Sequence, residues 1–482
     1  MFRLSKFAFS LAICASLAFA AVNFPYPQEK DYGNGTINAT VANASANLKS
    51  KFTSFLGSHY EEQGNFARIK FDDLNYTVSE GIAYGMIMMV YFSDNATSYQ
   101  SNFDKLWAYY NKFLNANGLM NWKISGFSTI NQYNAATDAE FDVAFALIMA
   151  YYQFEDQKYL NDAKTLVGKI RQYEMESDGL HKPGDAWNSK RNPSYVSPAA
   201  FELFKDVDQE AFWSTALARN YTLLKNNQNA TSGLPSDWCG DNGSAMDTYS
   251  YDASRAPWRW AWANAYFGHA DAKTLLGKLA PWVNNQTPAN VNGPVQLNGT
   301  FSSGCCNNST FLGPFTNALS YSSSYQTKMN DFWTVLISKN EDSYFNKAMQ
   351  LITALLASGN MPNLKALSET PPPPSSSSAP SSSSLTPSSS STPSSSSSGT
   401  IAPIALSKIP SLNGAHVINN GVSLQVLNNA ALEIFGLDGK SVRKLSFASG
   451  SWQVQFADLP KGLYIIKVSF GNNKEILRVP VN

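Results

Sequence analysis

The sequence predicts three parts along its 482 residues: a helical domain, a Ser/Pro-rich linker and a small all-β sandwich. Apolar residues recur at helical spacing within residues 22–367, Ser and Pro dominate residues 368–400, and apolar and polar residues alternate within residues 401–482. The 36 basic and 36 acidic residues cancel, and no basic patch stands out. Because a nucleic-acid-binding protein must neutralise phosphates with clustered Lys and Arg, we exclude that class. An aromatic content of 13% instead suits a neutral, hydroxylated ligand with flat apolar faces, such as a sugar.

Residues 1–20 have the three parts of a secretory signal peptide. A basic start precedes an apolar run from Phe7, which ends in the small-x-small site Ala18-Phe19-Ala20. The run is too short to span a bilayer, which needs about 20 apolar residues. We therefore expect a protein that is secreted, or held at the cell surface, after the signal peptide is cleaved.

Helices are predicted in residues 22–367, because several segments carry apolar residues at positions i, i+3, i+4 and i+7. These segments are 81–92, 138–152, 209–223, 257–267 and 345–357. Ser79, Thr137 and Asp208 stand where N-caps are expected. The loops between the segments are long and rich in aromatic residues, which in a compact helical domain indicates function.

The composition of the linker cannot bury apolar area, so the linker should stay extended. After it, the spacing of apolar residues changes from that of helices to the alternation typical of strands. Alternation predicts strands at 422–426, 432–434, 452–456 and 463–470, with turn signals at Asp438-Gly439 and Gly471-Asn472.

Removal of the signal peptide leaves three cysteines: Cys239, Cys305 and Cys306. One disulfide is expected in an oxidising compartment, either from Cys239 to one of the adjacent pair or between Cys305 and Cys306 themselves. No CxxC or His/Cys cluster has zinc spacing, so we expect no metal and no cofactor.

Carboxylates are the remaining candidates for chemistry, because motifs such as GxGxxG, GxxxxGK[ST], HExxH and GxSxG are missing from the sequence. Glycoside hydrolysis needs one carboxylic acid to protonate the leaving oxygen and one carboxylate to activate water or attack carbon. Three stretches qualify: residues 78–86 read VSEGIAYGM, 135–144 read AATDAEFDVA, and 250–260 read SYDASRAPWRW.

Each stretch also has an ordinary structural interpretation. Glu80 starts a helix whose burial would raise its pKa, as a general acid requires, although helix-start acids are common. Asp138, Glu140 and Asp142 are spaced so that at most two can face a cleft, and capping is the alternative. Arg255 could hold Asp252 ionised, as a general base requires, or the two could simply order a loop.

These stretches, with NPSYVSP at 192–198 and PSDWC at 235–239, occur in the order seen in glycoside hydrolase family 8, which this chain resembles over most of residues 22–367. The resemblance implies an (α/α)6 barrel that inverts the anomeric configuration. It implies Glu80 as general acid, Asp252 as general base, and Asp138 as the carboxylate that holds the distorted sugar. Further sugar-binding residues by the same resemblance are Trp122, Trp187, Tyr195, Tyr251 and Arg255. The chain departs from the family pattern at Glu140, where Asp is more common, and at Phe154, where Trp is more common.

The expected function is therefore that of a secreted, monomeric, inverting endo-β-1,4-glucanase acting on cellulose or related β-glucans. Chitosanase, lichenase and xylanase activities of the same family remain alternatives, and a non-catalytic polysaccharide-binding protein is the alternative from another class. The acid and base should lie roughly 6.5–9.5 Å apart. Residues 432–440 and 459–468 resemble C-terminal sorting domains of secreted bacterial proteins, which implies contact with secretion machinery or the cell surface. A carbohydrate-binding sandwich is the alternative, with Trp452 as its one available Trp.

Overall fold

The computed structural model describes residues 22–302 and 306–369, and a set of strands between residues 414 and 481. The predicted signal peptide at 1–20 and nearly all of the predicted linker lie outside the described residues. The described residues fall into two compact units, which divide after Leu367. Within the described ranges, no helix is long and apolar enough to cross a membrane.

The described part of the first unit contains 13 helices. They are α1 (Ala44–His59), α2 (Ser79–Phe92), α3 (Gln100–Lys112), α4 (Thr137–Phe154), α5 (Gln157–Tyr173), α6 (Pro198–Phe204), α7 (Glu210–Asn227), α8 (Ala256–Phe267), α9 (Ala270–Asn284), α10 (Ser309–Leu319), α11 (Gln326–Ser338), α12 (Tyr344–Ala357) and α13 (Leu364–Glu369).

Six of these helices form a closed inner ring. Helices α2, α4, α6, α8, α10 and α12 each contact the next, and α12 contacts α2. Each inner helix carries an outer one: α3 packs on α2, α5 on α4, α7 on α6, α9 on α8, α11 on α10, and α1 on α12. This is an (α/α)6 barrel, the fold that the family resemblance implied.

The sequence decides which helices lie inside. Helix α2 is apolar all round and buries every residue except Glu80, and α4 is buried almost as fully, so both belong in the centre. Outer helix α5 buries one stripe, made of Tyr159, Ala163, Leu166, Val167 and Ile170, and exposes the other face. All five predicted helical segments fall within α2, α4, α7, α8 and α12, apart from Gln209 at the start of one of them.

The three predicted N-caps are wrong. Ser79 and Thr137 are the first helical residues of α2 and α4, and neither helix start has a side-chain cap. The Ser79 N–H instead donates to the carbonyl oxygen of Trp122 at 2.9 Å, so a loop satisfies one of the N–H groups that have no partner within the helix. Asp208 lies before the cap position of α7, and its carboxylate accepts from Arg171 and Trp213.

Short strands place two of the site residues. Strands β1 (Tyr60–Gln63) and β2 (Phe66–Ile69) form a hairpin, and β3 (Tyr76–Val78), β4 (Lys123–Ser125) and β5 (Thr129–Gln132) form an antiparallel sheet. Strand β3 runs directly into α2, and β4 begins directly after Trp122. The sheet thereby fixes Glu80 and Trp122 beside each other at one end of the ring.

The described residues of the second unit from Gly414 onward form two antiparallel sheets, in agreement with the predicted all-β region. Strands β6 (Gly414–Ile418), β7 (Gly421–Val426) and β10 (Gly450–Gln455) form one antiparallel sheet in the order β10-β7-β6. Strands β8 (Ala430–Phe435), β9 (Ser441–Phe447), β11 (Gly462–Phe470) and β12 (Asn473–Val481) form a second, in the order β12-β11-β8-β9. Alternate residues Leu432 and Ile434, with Ile466 and Val468, are buried on one face of the second sheet. Both predicted turn signals lie outside the described residues.

The cysteines narrow the disulfide alternatives. Cys239 is a free, buried thiol among the residues that the structure describes, whereas Cys306 is disulfide-bonded. A bridge that includes Cys239 is therefore not the arrangement found.

Candidate active site

A cleft of about 600 Å³ opens at the end of the ring where the inner helices begin. Glu80 and Asp138 enter it from the first turns of α2 and α4, and Arg255 enters it from the short 3-10 turn that precedes α8. Its lining is completed by Phe71, Asp72, Val78, Ser79, Trp122, Ala136, Tyr195, Tyr251, Asp252, Ser343, Phe345 and Asn346. Five segments of the chain, within residues 71–80, 122–138, 195, 251–255 and 343–346, thus converge on one cavity.

Arg255 holds three carboxylates at the floor of this cleft. Its Nη1 donates to Oε2 of Glu80 and to Oδ2 of Asp138, both at 2.6 Å, and its Nη2 donates to Oδ1 of Asp252 at 2.9 Å. The side chain of Asp138 is buried, that of Glu80 is 15% exposed, and that of Asp252 is 37% exposed. The most open of the three acids is therefore the one that the sequence predicts to activate water.

Three acids and one guanidinium leave an excess of negative charge, and protonation of one acid relieves it. Burial raises the pKa of Glu80 to about 7, the charge of Asp138 adds to the effect, and Arg255 and a hydrogen bond from Tyr344 oppose it. Burial also raises the pKa of Asp138. The pKa of Arg255 lies well above its usual range because of the carboxylates around it. Near neutral pH, Glu80 can therefore hold a proton while Arg255 stays charged.

The position of Asp252 depends on a fourth acid, Asp237. Its Oδ1 accepts from the backbone N–H groups of Ser250 and Ala253 at 2.8 and 2.7 Å, and so orders the loop that carries Asp252. Burial raises the pKa of Asp237 to about 6. The PSDWC motif thus supports the site through backbone contacts.

Glu80 and Asp252 share one guanidinium, which limits their separation. The two nitrogens that they contact are joined through two C–N bonds of about 1.33 Å each, so the nearest carboxyl oxygens are at most roughly 8 Å apart. Separations up to this limit include the lower part of the roughly 6.5–9.5 Å range of inverting enzymes.

Of the three acids at the start of α4, Asp138 alone is part of the cleft lining described above, which agrees with the prediction that at most two can face a cleft. Asp142 forms a fully buried bidentate pair with Arg259 at 2.7 and 2.8 Å. Glu140 is fully buried beside Tyr110, whose hydroxyl donates to its Oε1 at 3.2 Å. These two acids belong to the core of the barrel.

The predicted sugar-binding aromatic residues divide into two groups. Trp122, Tyr195 and Tyr251 line the cleft, and Tyr251 is 41% exposed. Trp187 is 38% exposed but is not among the described residues that line the cavity. Its ring lies 4.9 Å from that of Trp238 between centroids, tilted by 44°, and the Trp238 ring lies edge-on to that of Tyr195 at 6.2 Å. Aromatic surface therefore continues from Tyr195 beyond the cavity.

Sequence reasoning missed the contribution of the N-terminus of α12. Tyr344 donates its hydroxyl to Oε1 of Glu80 at 3.0 Å, and Asp72 Oδ1 accepts from the Tyr344 N–H at 2.7 Å. The spacing of apolar residues in 345–357 predicted the helix, but nothing in the local sequence indicated that its first residue contacts an acid 264 positions away.

Two family models match separate parts of the chain. A family model described as "Glycosyl hydrolases family 8" matches residues 24–359, and one described as "Secretion system C-terminal sorting domain" matches residues 417–482. The chain is 30% identical to Endoglucanase 2 of Ruminiclostridium josui over 76% of its own length and 83% of that protein. It is 28% identical to the Beta-glucanase of Niallia circulans over 73% of its own length and 94% of that protein.

Solved structures give the same result for the fold. The apo structure of Beta-1,3-1,4-glucanase from Paenibacillus sp. X4 matches with a TM-score of 0.67 and 25% identity, over 70% of this chain and 99% of that one. Rex8A from Paenibacillus barcinonensis complexed with xylose matches with a TM-score of 0.60 at 18% identity, over 68% and 98%. The second likeness concerns the fold alone.

Proposed function

The chain belongs to glycosyl hydrolases family 8, and from that premise we propose that it is an inverting endo-β-1,4-glucanase acting on cellulose or related β-glucans. The observation that supports this most directly is the cluster of Glu80, Asp138 and Asp252 around Arg255 in an open cleft. It combines a carboxyl group whose pKa is raised to about 7 with a more exposed carboxylate that can contact water.

The proposed reaction is a single displacement. Glu80 gives its proton to the glycosidic oxygen, and the bond from the anomeric carbon to that oxygen breaks with its electron pair going to the oxygen. Asp252 takes a proton from a water molecule, whose oxygen forms the new bond to the anomeric carbon from the opposite face. Asp138, held by Arg255, would bind the distorted sugar between them.

The proposed substrate is a neutral β-glucan, supported by the endoglucanase and β-glucanase names of the relatives and by the aromatic residues Trp122, Tyr195 and Tyr251 in the cleft. One observation favours a second candidate: the described lining carries four carboxyl groups and one guanidinium, an excess of negative charge that would attract the cationic polymer chitosan. Side-by-side rates on carboxymethylcellulose, mixed-linkage glucan, xylan and chitosan separate the two.

The catalytic assignment is tested with Glu80→Gln and Asp252→Asn, which preserve side-chain shape but cannot transfer the proton. Positioned proton transfer contributes about 10²–10⁴-fold, so each variant should lose at least about 100-fold in reducing-sugar release. Asp271→Asn, which alters an exposed acid on α9, is the matched control. NMR of the first product should show the inverted anomer. Turnover of Glu80→Gln near that of the control, or a retained anomer, would refute the assignment.

The sorting-domain match indicates secretion or the cell surface. We propose further that residues 1–20 are removed during export and that the mature enzyme acts as a monomer. N-terminal sequencing of the exported protein should begin at Ala21, and removal of residues 401–482 should change the distribution between cell surface and medium. A mature protein that begins at Met1 would contradict the first expectation.

A further inference from the structure

Tyr344 is a buried tyrosine whose hydroxyl contacts the proposed general acid. It donates to Oε1 of Glu80 at 3.0 Å, and its ring is fully buried between Phe71, at 5.5 Å, and His59, at 6.2 Å between ring centroids. Its backbone N–H donates to Asp72, which fixes the start of α12. The hydroxyl therefore has little freedom to leave Glu80.

The adjacent position on α2 is shaped for this contact. A Cβ added to Gly81 would lie 3.3 Å from the Tyr344 hydroxyl oxygen and 3.4 Å from its ring. That distance is tighter than ordinary contact, so a side chain there would displace the phenol. Gly81 thus permits the close approach of Tyr344 to Glu80.

The two oxygens of Glu80 are not equivalent. Oε2 lies 2.6 Å from Nη1 of Arg255, and a guanidinium can only donate hydrogen bonds, so a proton on Oε2 would oppose another N–H. Oε1 faces the Tyr344 hydroxyl, which can accept as well as donate. When Glu80 is neutral, a proton on Oε1 is therefore compatible with both contacts, which favours Oε1 over Oε2 as its position.

We propose that Tyr344 is a positioning residue that holds Oε1 of Glu80, the oxygen that carries the catalytic proton, in the orientation from which it protonates the leaving group. This inference rests on the proposed role of Glu80 as general acid. With substrate bound, the Oε1–H bond breaks and its proton passes to the glycosidic oxygen, which also receives the electron pair of the broken glycosidic bond. Tyr344 then donates to the charged Oε1 and stabilises it.

The test compares two substrates that differ in their need for an acid. Carboxymethylcellulose has leaving groups that require protonation, whereas a 2,4-dinitrophenyl cello-oligosaccharide has a leaving group that departs without it. Tyr344→Phe should lower kcat on the polysaccharide roughly 10–100-fold, the usual range for a hydrogen bond to a charged group, with little change in KM. On the dinitrophenyl substrate the loss should be less than about threefold.

The pH profile gives an independent measurement. Because the Tyr344 hydrogen bond lowers the pKa of Glu80, its removal should move the alkaline limb of kcat/KM to higher pH. Gly81→Ala should show the same division between substrates, in weaker form. Since Ala is the better helix former, a weaker helix cannot account for that loss.

Tyr91→Phe is the matched control, since Tyr91 is a buried tyrosine at the far end of α2 whose hydroxyl contacts Tyr266 and Pro362. It should leave both rates and the pH profile unchanged. Equal losses of Tyr344→Phe on both substrates, or an unmoved alkaline limb, would overturn the inference. If Tyr344→Phe fails to fold, Gly81→Ala tests the inference in its place: a larger loss on the polysaccharide than on the dinitrophenyl substrate supports it, and equal losses overturn it.

Glu80→Gln, measured alongside, separates the two levels of the proposal. It should lose polysaccharide hydrolysis and keep most of the dinitrophenyl activity. If it keeps polysaccharide hydrolysis, the proposed function itself fails. If it behaves as expected while Tyr344→Phe resembles Tyr91→Phe, the inference about Tyr344 alone is wrong.

Discussion

Glu174→Gln should stabilise the protein above about pH 5, and the gain should grow as the pH rises. Glu174 is fully buried, and in the described part of the chain neither of its carboxyl oxygens makes a hydrogen bond of ordinary geometry, although the nearby Thr137 hydroxyl opposes the rise in its pKa. Burial raises its pKa well above the usual range, and the charge of Asp185 adds to this. Glu140, also fully buried, has a pKa raised by burial and by Glu174. The native protein therefore keeps Glu174 protonated at pH values at which the same residue would be ionised in the unfolded chain.

The magnitude follows from proton linkage. An unfolded Glu ionises near pH 4.3, whereas the folded pKa lies well above this value. Between the two pKa values the native state binds more protons than the unfolded state, so stability falls as the pH rises, by about 1.4 kcal/mol per pH unit for one carboxyl group. Gln keeps the shape and does not titrate, so the variant lacks this loss. For a helical domain of this size, the difference in Tm should widen by about 2 °C per pH unit.

Thermal unfolding at pH 5, 6, 7 and 8, followed by fluorescence of the buried Trp258, Trp260 and Trp262, measures the effect. Glu210→Gln, which removes an exposed acid from the first turn of α7, is the control and should give a pH-independent difference. A constant offset between Glu174→Gln and wild type across this range would show that Glu174 is ionised in the native state, and would refute the reasoning.

Three further predictions concern the buried pair of Asp142 and Arg259, the proposed general acid Glu80, and the close packing of Gly184 against the backbone. Asp142→Ala should lower the free energy of unfolding by about 3–5 kcal/mol in urea denaturation, because Arg259 would stay buried without its carboxylate. The kcat/KM on a β-glucan should fall with an alkaline midpoint near pH 7, as Glu80 loses its proton, and rates that stay flat to pH 9 would contradict this. Gly184→Ala should lower both Tm and activity, because its Cβ would overlap with the backbone oxygen of Ala135, just before α4.

Two surface variants control for the stability predictions. Asp271→Ala breaks an exposed pair with Lys225 and should cost less than about 1 kcal/mol. If Asp142→Ala costs no more than this, the buried pair does not anchor the barrel. Gly57→Ala adds a Cβ that meets nothing within 4 Å, inside helix α1, and should leave Tm unchanged or slightly higher. If Gly184→Ala and Gly57→Ala have the same Tm, the predicted clash is contradicted.

The helical architecture was predictable where apolar residues recur at helical spacing without an interior proline. Residues 81–92 and 257–267 were predicted, and the helices observed are Ser79–Phe92 and Ala256–Phe267. Helix α10 was missed because Gly313 and Pro314 stand inside it, and both residues normally argue against a helix. Tertiary packing overrides that preference, since Gly313 lies closely against Thr353 of α12.

The site was predictable only where its residues sit inside recognisable motifs. Glu80, Asp138 and Asp252 could be selected from three short stretches, and the structure brings all three to Arg255. Tyr344 could not be selected, because its contact with Glu80 exists only once the ring brings α12 beside α2. Which of several neighbouring acids faces the cavity is likewise decided by packing rather than by spacing.

The pairing of α1 with α12 has a consequence for biosynthesis. The first helix of the domain rests on the last inner helix, so a nascent chain that has not yet delivered α12 leaves α1 without its inner partner and one flank of α2 open. Apolar surface then stays exposed until nearly the whole domain has emerged, a state prone to aggregation. Export in an unfolded form, with folding completed on the far side of the membrane, would suit a chain whose two ends must meet before its core is sealed.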